Sequence, residues 1–275
     1  MIDISSYSRT LRITDGVWCA QGASEISYPQ EANEAFYKIE DSSFWFRHRN
    51  DVIGKVIVRY AKPSEVFLDV GAGNGFTSYY LKSMGFDPIV LEPGLQGVMN
   101  AKARGLQNLV HAALEDADFL SDRFSNIGIF DVIEHIENDL GVLINLRRIL
   151  KTGGRIFVTV PAFDFLWSQN DINAGHFRRY TIKKMRTLAA SAGLKVIYDT
   201  YFFSILPPSI FLFRSLPYRL GYQFKNLYAK AQKEHNKPNT GILETFWRME
   251  CNLLPVRSIP FGSSCFVVME KPDHE

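Results

Sequence analysis

Cysteine is scarce. Cys19, Cys251 and Cys265 are the three in 275 residues, too few and too scattered for a disulfide framework or a CxxC metal site. A reducing, cytoplasmic setting is expected. The opening Met1-Ile2-Asp3-Ile4-Ser5-Ser6 lacks the basic start and apolar run of an export signal. No stretch supplies the roughly 20 uninterrupted apolar residues of a membrane-crossing helix. The nearest, Tyr201 to Phe213, contains Pro207-Pro208 and stops at Arg214, so a buried or interfacial element is expected there. An excess of one charge is also absent. With 31 Lys and Arg against 29 Asp and Glu, the net charge is +2, and nucleic acid is not an expected partner.

What is present is an ordinary globular composition, 46% hydrophobic and 22% charged, which excludes a disordered, collagenous or coiled-coil chain. The length suits one full domain with appendages. Residues 1–62 read as a hairpin turning at Asp15-Gly16 and a helical lid, with one or two amphipathic helices between Glu31 and Tyr60. Residues 63–200 alternate strands with helices. Val66 to Val70, Pro88 to Leu91, Ile127 to Phe130 and Arg155 to Val160 read as strands. Phe76 to Met84, Leu140 to Leu150 and a segment capped by Thr181 read as helices. This alternation predicts an α/β fold: a doubly wound, Rossmann-like parallel sheet covered on both faces. Residues 201–275 read as a substrate-side insertion followed by a last strand, Cys265 to Met269, that returns to the sheet.

The sharpest chemical signal is Asp69-Val70-Gly71-Ala72-Gly73-Asn74-Gly75-Phe76, with glycines at alternate positions between a strand and a helix. Lack of a Cβ at Gly71 and Gly73 lets the backbone approach a nucleotide-type ligand, and a side chain placed at Gly71 is expected to block that approach. Glu92 ends the next strand, where a carboxylate can accept both hydroxyls of a ribose. A dinucleotide fold would place its third glycine where Phe76 stands, which disfavours a nicotinamide oxidoreductase.

The loop resembles that of class I S-adenosylmethionine-dependent methyltransferases, as do Phe130-Asp131-Val132-Ile133-Glu134-His135-Ile136 and Arg148-Ile149-Leu150-Lys151-Thr152-Gly153-Gly154. Leu166-Trp167-Ser168, Asp171 and His176-Phe177-Arg178-Arg179-Tyr180-Thr181 resemble a signature of a bacterial subgroup. The resemblance implies a seven-stranded sheet and S-adenosyl-L-methionine as cofactor. It implies that Asp69, Gly71 and Gly73 hold the methionine part and that Glu92 binds the ribose. Leu114 and Glu115 would border the adenine, with Phe130, Asp131 and His135 beside the sulfonium and the substrate entry.

Methyl transfer from a sulfonium needs positioning above all, and a base only where the acceptor loses a proton. His135 and His176 are the candidate catalytic bases; capping or structural hydrogen bonding is the alternative for each. The D-x-x-E-H spacing of Asp131, Glu134 and His135 is similar to the E-x-x-E-H of metal-assisted methyltransferases. With Asp131 on the cofactor side and no further ligand evident, no metal is expected.

The leading expectation is an enzyme that methylates a small-molecule acceptor, on oxygen, in specialised metabolism or glycan modification. The alternatives are N- or C-methylation of a small aromatic or heterocyclic metabolite, a membrane-interface enzyme for a lipid-linked substrate with Tyr201 to Phe224 as its foot, and a scaffold without turnover. A basic run from Arg178 to Lys237 is read as solvated helix faces or an anionic-substrate contact. Only 15 of the 37 aromatic residues fall in 63–200, so the acceptor's surroundings are expected in the flanks, with Phe44, Trp45, Phe202 and Phe203 joining Arg179 and Tyr180 as substrate candidates.

Overall fold

In the computed structural model, which describes residues 2–21, 30–222 and 241–273, strand β1 (Arg12–Thr14) turns through Asp15 and Gly16 into β2 (Val17–Cys19). The turn residues have φ of 50° and 77°, the left-handed pair that a two-residue hairpin turn requires. Helices α1 (Gln30–Tyr37) and α2 (Phe44–Tyr60) precede β3 (Phe67–Val70), α3 (Phe76–Ser83), β4 (Ile89–Glu92), α4 (Leu95–Ala103) and β5 (Asn108–His111). Then come β6 (Phe124–Phe130), α5 (Asp139–Ile149), β7 (Leu150–Pro161), α6 (Gln169–Ala174), α7 (Ile182–Ser191) and β8 (Lys195–Phe202). Short helical turns at Pro207–Ile210 and Leu216–Arg219, a helix at Gly241–Leu253 and β9 (Ser264–Glu270) complete the described elements.

These strands form one sheet in the order β1-β2-β5-β4-β3-β6-β7-β9-β8. The five strands from β5 to β7 run parallel, and β9 lies antiparallel between β7 and β8. The expected seven strands are those from β5 to β8; the sheet has nine because β2 pairs in parallel with β5, setting Trp18 opposite Val110. The N-terminal hairpin therefore extends the sheet edge.

Side chains alternate across the sheet with period two. Leu68, Ile127, Ile129, Ile156 and Val158 meet α5 and α7 on one face. Phe67, Phe157, Phe266 and Val268 meet α2 on the other. Val52, Ile53, Val56 and Ile57 of α2 are fully buried, each contributing about 1.5–3 kcal/mol of apolar transfer. Helix α2 is thus an integral wall of the core, and no break in packing falls at 62/63. The last helix closes over it. Glu250 accepts hydrogen bonds from the Phe203 and Ser204 amides at 2.7 and 2.8 Å, and pairs with His48 at 2.9 Å.

The aromatic flanks serve this packing. Phe44 stacks on Trp247 and Trp45 on Phe203, at 4.6 and 5.4 Å. Phe202 and Phe203, expected beside the acceptor, are fully buried members of the hydrophobic core. Among the described residues no helix is long and apolar enough to cross a membrane. Of the basic run and the interfacial foot, Phe224, Lys225, Lys230, Lys233 and Lys237 lie outside the described residues.

Gly75 starts α3 at φ +70°, and a Cβ there would stand 2.7 Å from both Ala101 Cβ and Leu106 Cδ1. Gly75→Ala should therefore cost about 2–4 kcal/mol, combining left-handed strain with overpacking. Gly105→Ala, at φ +85° with open space around the site, should cost only about 1–2 kcal/mol. Urea unfolding of both variants measures the difference.

Candidate active site

Chain order reverses between β3 and β6, which sit side by side although β3 leads through α3 to β4 on its other flank. Open α/β sheets bind ligands at the carboxyl ends of their strands at such a switch point. The glycine loop lies there. Gly71, Gly73 and Gly75 all have positive φ, but their surroundings differ. A Cβ on Gly71 would meet Val132 Cγ2 at 2.7 Å, whereas a Cβ on Gly73 would meet nothing within 4 Å. The open approach expected at Gly71 is found at Gly73, because the turn folds Gly71 against the segment that follows β6.

Glu92, buried at the end of β4, spans this opening. Its Oε2 accepts from the Gly73 amide and its Oε1 from the Gly94 amide, both at 2.8 Å. Burial pushes its carboxyl up to about 7; the two amides oppose that rise and the charge of Asp69 adds to it. Asp69 lies in the floor of the loop, 1% exposed, where burial raises its carboxyl to about 6 against a 2.6 Å hydrogen bond from Ser78. The bond pins the loop to α3. Of the residues expected near an adenine, Leu114 belongs to the hydrophobic core and Glu115 is exposed.

Arg49 was not among the expected site residues. It is buried and donates from Nε to Asp131 at 2.5 Å, from Nη1 to Thr77 and from Nη2 to the Phe130 carbonyl, both at 3.0 Å. The signal was its position. It falls four residues after Trp45 and three before Val52, on the apolar stripe of an amphipathic helix, where a charge stays only if it is paired.

Asp131, held at φ +56°, leads into a turn over Ile133–His135. The His135 and His176 rings meet edge to face, 4.7 Å between centroids. Burial, then the neighbouring His176, pushes His135 down to about 4, so its imidazole is neutral at physiological pH. His176 follows Gly175, the left-handed cap of α6, and its Nδ1 lies 2.9 Å from Asp171. Asp171 also binds Arg179 Nε at 2.7 Å and the Ser168 amide at 2.9 Å. Burial would raise the Asp171 carboxyl, but the hydrogen bond from His176 and the Arg179 guanidinium outweigh it and hold it low.

Arg179 also donates to the Ala162 carbonyl, and the Tyr180 hydroxyl to Asp139 at 2.9 Å. Both side chains are buried and hydrogen-bonded to internal partners. Glu134 is buried, and its Oε2 has no hydrogen-bond partner. Its carboxylate offers a donor atom within 4.8 Å of donor atoms on His135 and His176. The sequence spacing grouped Asp131 with Glu134 and His135, but the fold gives Asp131 to Arg49 and brings His176 beside the other two.

A parallel sheet closed by an antiparallel β9, a glycine loop after β3 and a carboxylate ending β4 define a class I S-adenosylmethionine-dependent methyltransferase. The chain belongs to the Methyltransferase domain family, which its sequence matches over residues 45–199. No curated protein matches the sequence. Among solved structures it is similar in fold to the methyltransferase in a complex with the Haloferax volcanii Trm112 methyltransferase activator. There the TM-score is 0.57 at 16% identity, over 90% of this chain and 95% of that one. Phosphoethanolamine N-methyltransferase 2 of Haemonchus contortus, in complex with S-adenosyl-L-methionine, gives 0.57 at 14%, over 90% and 59%. A geranyl diphosphate methyltransferase in complex with GPP and sinefungin gives 0.51 at 13%, over 80% and 76%.

The glycine geometry separates two substitutions. Gly73→Ala should weaken S-adenosylhomocysteine binding at least tenfold in calorimetry while lowering stability by only about 1–2 kcal/mol. Gly71→Ala should lose stability more heavily, because its methyl collides with Val132.

Proposed function

We propose that this protein transfers a methyl group from S-adenosylmethionine to a hydroxyl oxygen of a small molecule, and that the acceptor loses its proton at the His135–His176 corner. The observation that carries the cofactor assignment is the buried Glu92 carboxylate drawn across the open face of Gly73. Each of its oxygens takes one backbone amide and keeps a lone pair for a ribose hydroxyl. Arg49 holds Asp131, Thr77 and the Phe130 carbonyl together beside the loop and so fixes its surroundings. The donor set fits the cofactor. When bound, S-adenosylmethionine supplies an electrophilic methyl carbon on a good leaving group, displaced in line.

The chain's task is then to orient the acceptor and take its proton. His135 is neutral and desolvated. Asp171 engages Nδ1 of His176, which leaves Nε2 as the atom for proton transfer. Arg179 and Ser168 fix Asp171 in turn, the arrangement of a base oriented by a buried carboxylate.

Labelled cofactor incubated with a panel of hydroxylated metabolites should yield labelled methyl ethers, and labelling confined to nitrogen or carbon acceptors would overturn the oxygen assignment. The Glu92 carboxyl gives a separate pH signature. Its ionised form accepts both hydroxyls and its protonated form does not, so affinity falls as pH drops through about 7. Between pH 8 and 6 the ionised fraction changes about tenfold. S-adenosylhomocysteine affinity should fall by that factor, and Glu92→Gln should bind weakly with no such slope.

The exposed Leu212, Phe213, Leu220 and Tyr222 favour a second reading, action on a lipid-linked acceptor at a membrane surface. Co-sedimentation with phosphatidylglycerol vesicles should then be reduced several-fold in Leu212→Ser/Phe213→Ser, and equal partitioning of both forms would dismiss it.

A further inference from the structure

We propose that Glu134, His135 and His176 form a binding site for one divalent transition-metal ion of the zinc, manganese or iron(II) type. The role given to that ion rests on the oxygen-methylation reading above; its binding does not. The three side chains come from two separate segments, the turn after β6 and the end of α6, and their donor atoms lie within 4.8 Å of one another. Ligands about 2.0–2.2 Å from a common ion stand roughly 3 Å apart, so side-chain rotations close the set.

Glu134 supplies the second observation. It is 1% exposed, and Oε2 has no hydrogen-bond partner. A buried carboxylate left in this way is costly unless a cation or a proton joins it. The nearby charges do not meet that need. Asp131 repels it, and the guanidinium groups of Arg49 and Arg179 act on it only through space, each being hydrogen-bonded to its own aspartate.

The imidazoles are placed as ligands. Asp171 engages Nδ1 of His176 at 2.9 Å, the carboxylate–histidine arrangement that orients the other ring nitrogen toward a metal. His135 is held by the backbone at Ala174 and Gly175, the same turn that presents His176. Two imidazoles and one carboxylate select zinc, manganese, iron(II) or cobalt(II); magnesium and calcium require oxygen sets. Three protein ligands leave positions open on the ion.

The cluster follows β6, the strand beside β3 and its glycine loop, so an acceptor oxygen bound at an open position stands at the cofactor's edge of the sheet. Coordination lowers the pKa of a hydroxyl. With an ion bound, Nε2 of His176 is a ligand and no longer the base, so the acceptor's proton passes to solvent, and an oxygen lone pair forms the new C–O bond while the C–S pair stays with sulfur. The acceptor class this favours has a hydroxyl beside a second oxygen donor, such as a catechol or an α-hydroxy ketone.

The test uses the full chain stripped with a chelator and then titrated with cobalt(II), zinc or magnesium. Cobalt should bind one per chain with visible ligand-field absorption, zinc should displace it, and magnesium should not. Glu134→Gln and His176→Gln should each weaken cobalt affinity at least 100-fold and abolish the absorption, with S-adenosylhomocysteine affinity within about threefold of wild type. Should one variant fail to fold, the other with His135→Gln carries the comparison. Cobalt uptake unchanged in the folded variants, or absent from wild type that still binds S-adenosylhomocysteine, overturns the site and leaves the function untouched. Wild type that takes up cobalt but not S-adenosylhomocysteine supports the site and overturns the function.

Discussion

The buried guanidinium of Arg49 is the interaction on which the site depends. It joins three parts of the chain that the sheet alone leaves independent: the interior of α2, the first turn of α3 through Thr77, and the end of β6 through Phe130 and Asp131. A charge this deeply placed is tolerated only with its hydrogen bonds complete. The carboxylate of Asp131, carried on left-handed backbone, is one of those completions. Burial of Val52, Ile53, Val56 and Ile57 drives α2 onto the sheet, and Arg49 then sets where along the sheet it stops. Hydrophobic area supplies the energy, and the guanidinium supplies the register.

A second buried hub does comparable work on the other side of β6. Asp171 closes the first turn of α6 through the Ser168 amide, orients His176 and neutralises Arg179, which ties the group to Ala162 just beyond β7. The two hubs flank Glu134 without bonding to it. Satisfied ion pairs thus stand near one carboxylate that keeps an unpartnered oxygen, Glu134 Oε2, and such an exception is where chemistry is expected.

Much of the fold was legible because it rests on local periodicity. The strand–loop–helix at Phe67–Ser83, the Thr181 cap, whose side chain accepts from the Lys184 amide, and the returning strand at Ser264–Glu270 all carry their own signals. The hairpin was also legible from Asp15-Gly16, but its pairing with β5 was not, since a contact between Trp18 and Val110 leaves no trace in spacing. The glycine loop between β3 and α3 was legible, but not which of its glycines faces open space. Gly71 and Gly73 look alike in sequence, and only the position of Val132 separates them. Arg179, Tyr180, Phe202 and Phe203 were read as substrate contacts from their residue types, yet each is consumed by an internal partner. Asp131, Glu134 and His135 were grouped by proximity in the chain, whereas the fold groups Glu134 and His135 with His176, 41 positions after His135.

The position of β9 governs the order in which the molecule can be assembled. β8 has no neighbour in the sheet except β9, which is translated about 60 residues later, and α2 is clamped by Glu250 from the same late stretch. During vectorial synthesis the parallel half, β3 to β7, can form as soon as it leaves the ribosome. β8 and the Trp45–Phe203 stack must then wait with their apolar faces uncovered. A ribosome paused between residues 203 and 264 holds a nascent chain in which the partners of Arg49 are present but the Glu250 clamp on α2 is not. Cofactor bound by such a chain would stabilise the half that exists and favour correct docking of the half still to come.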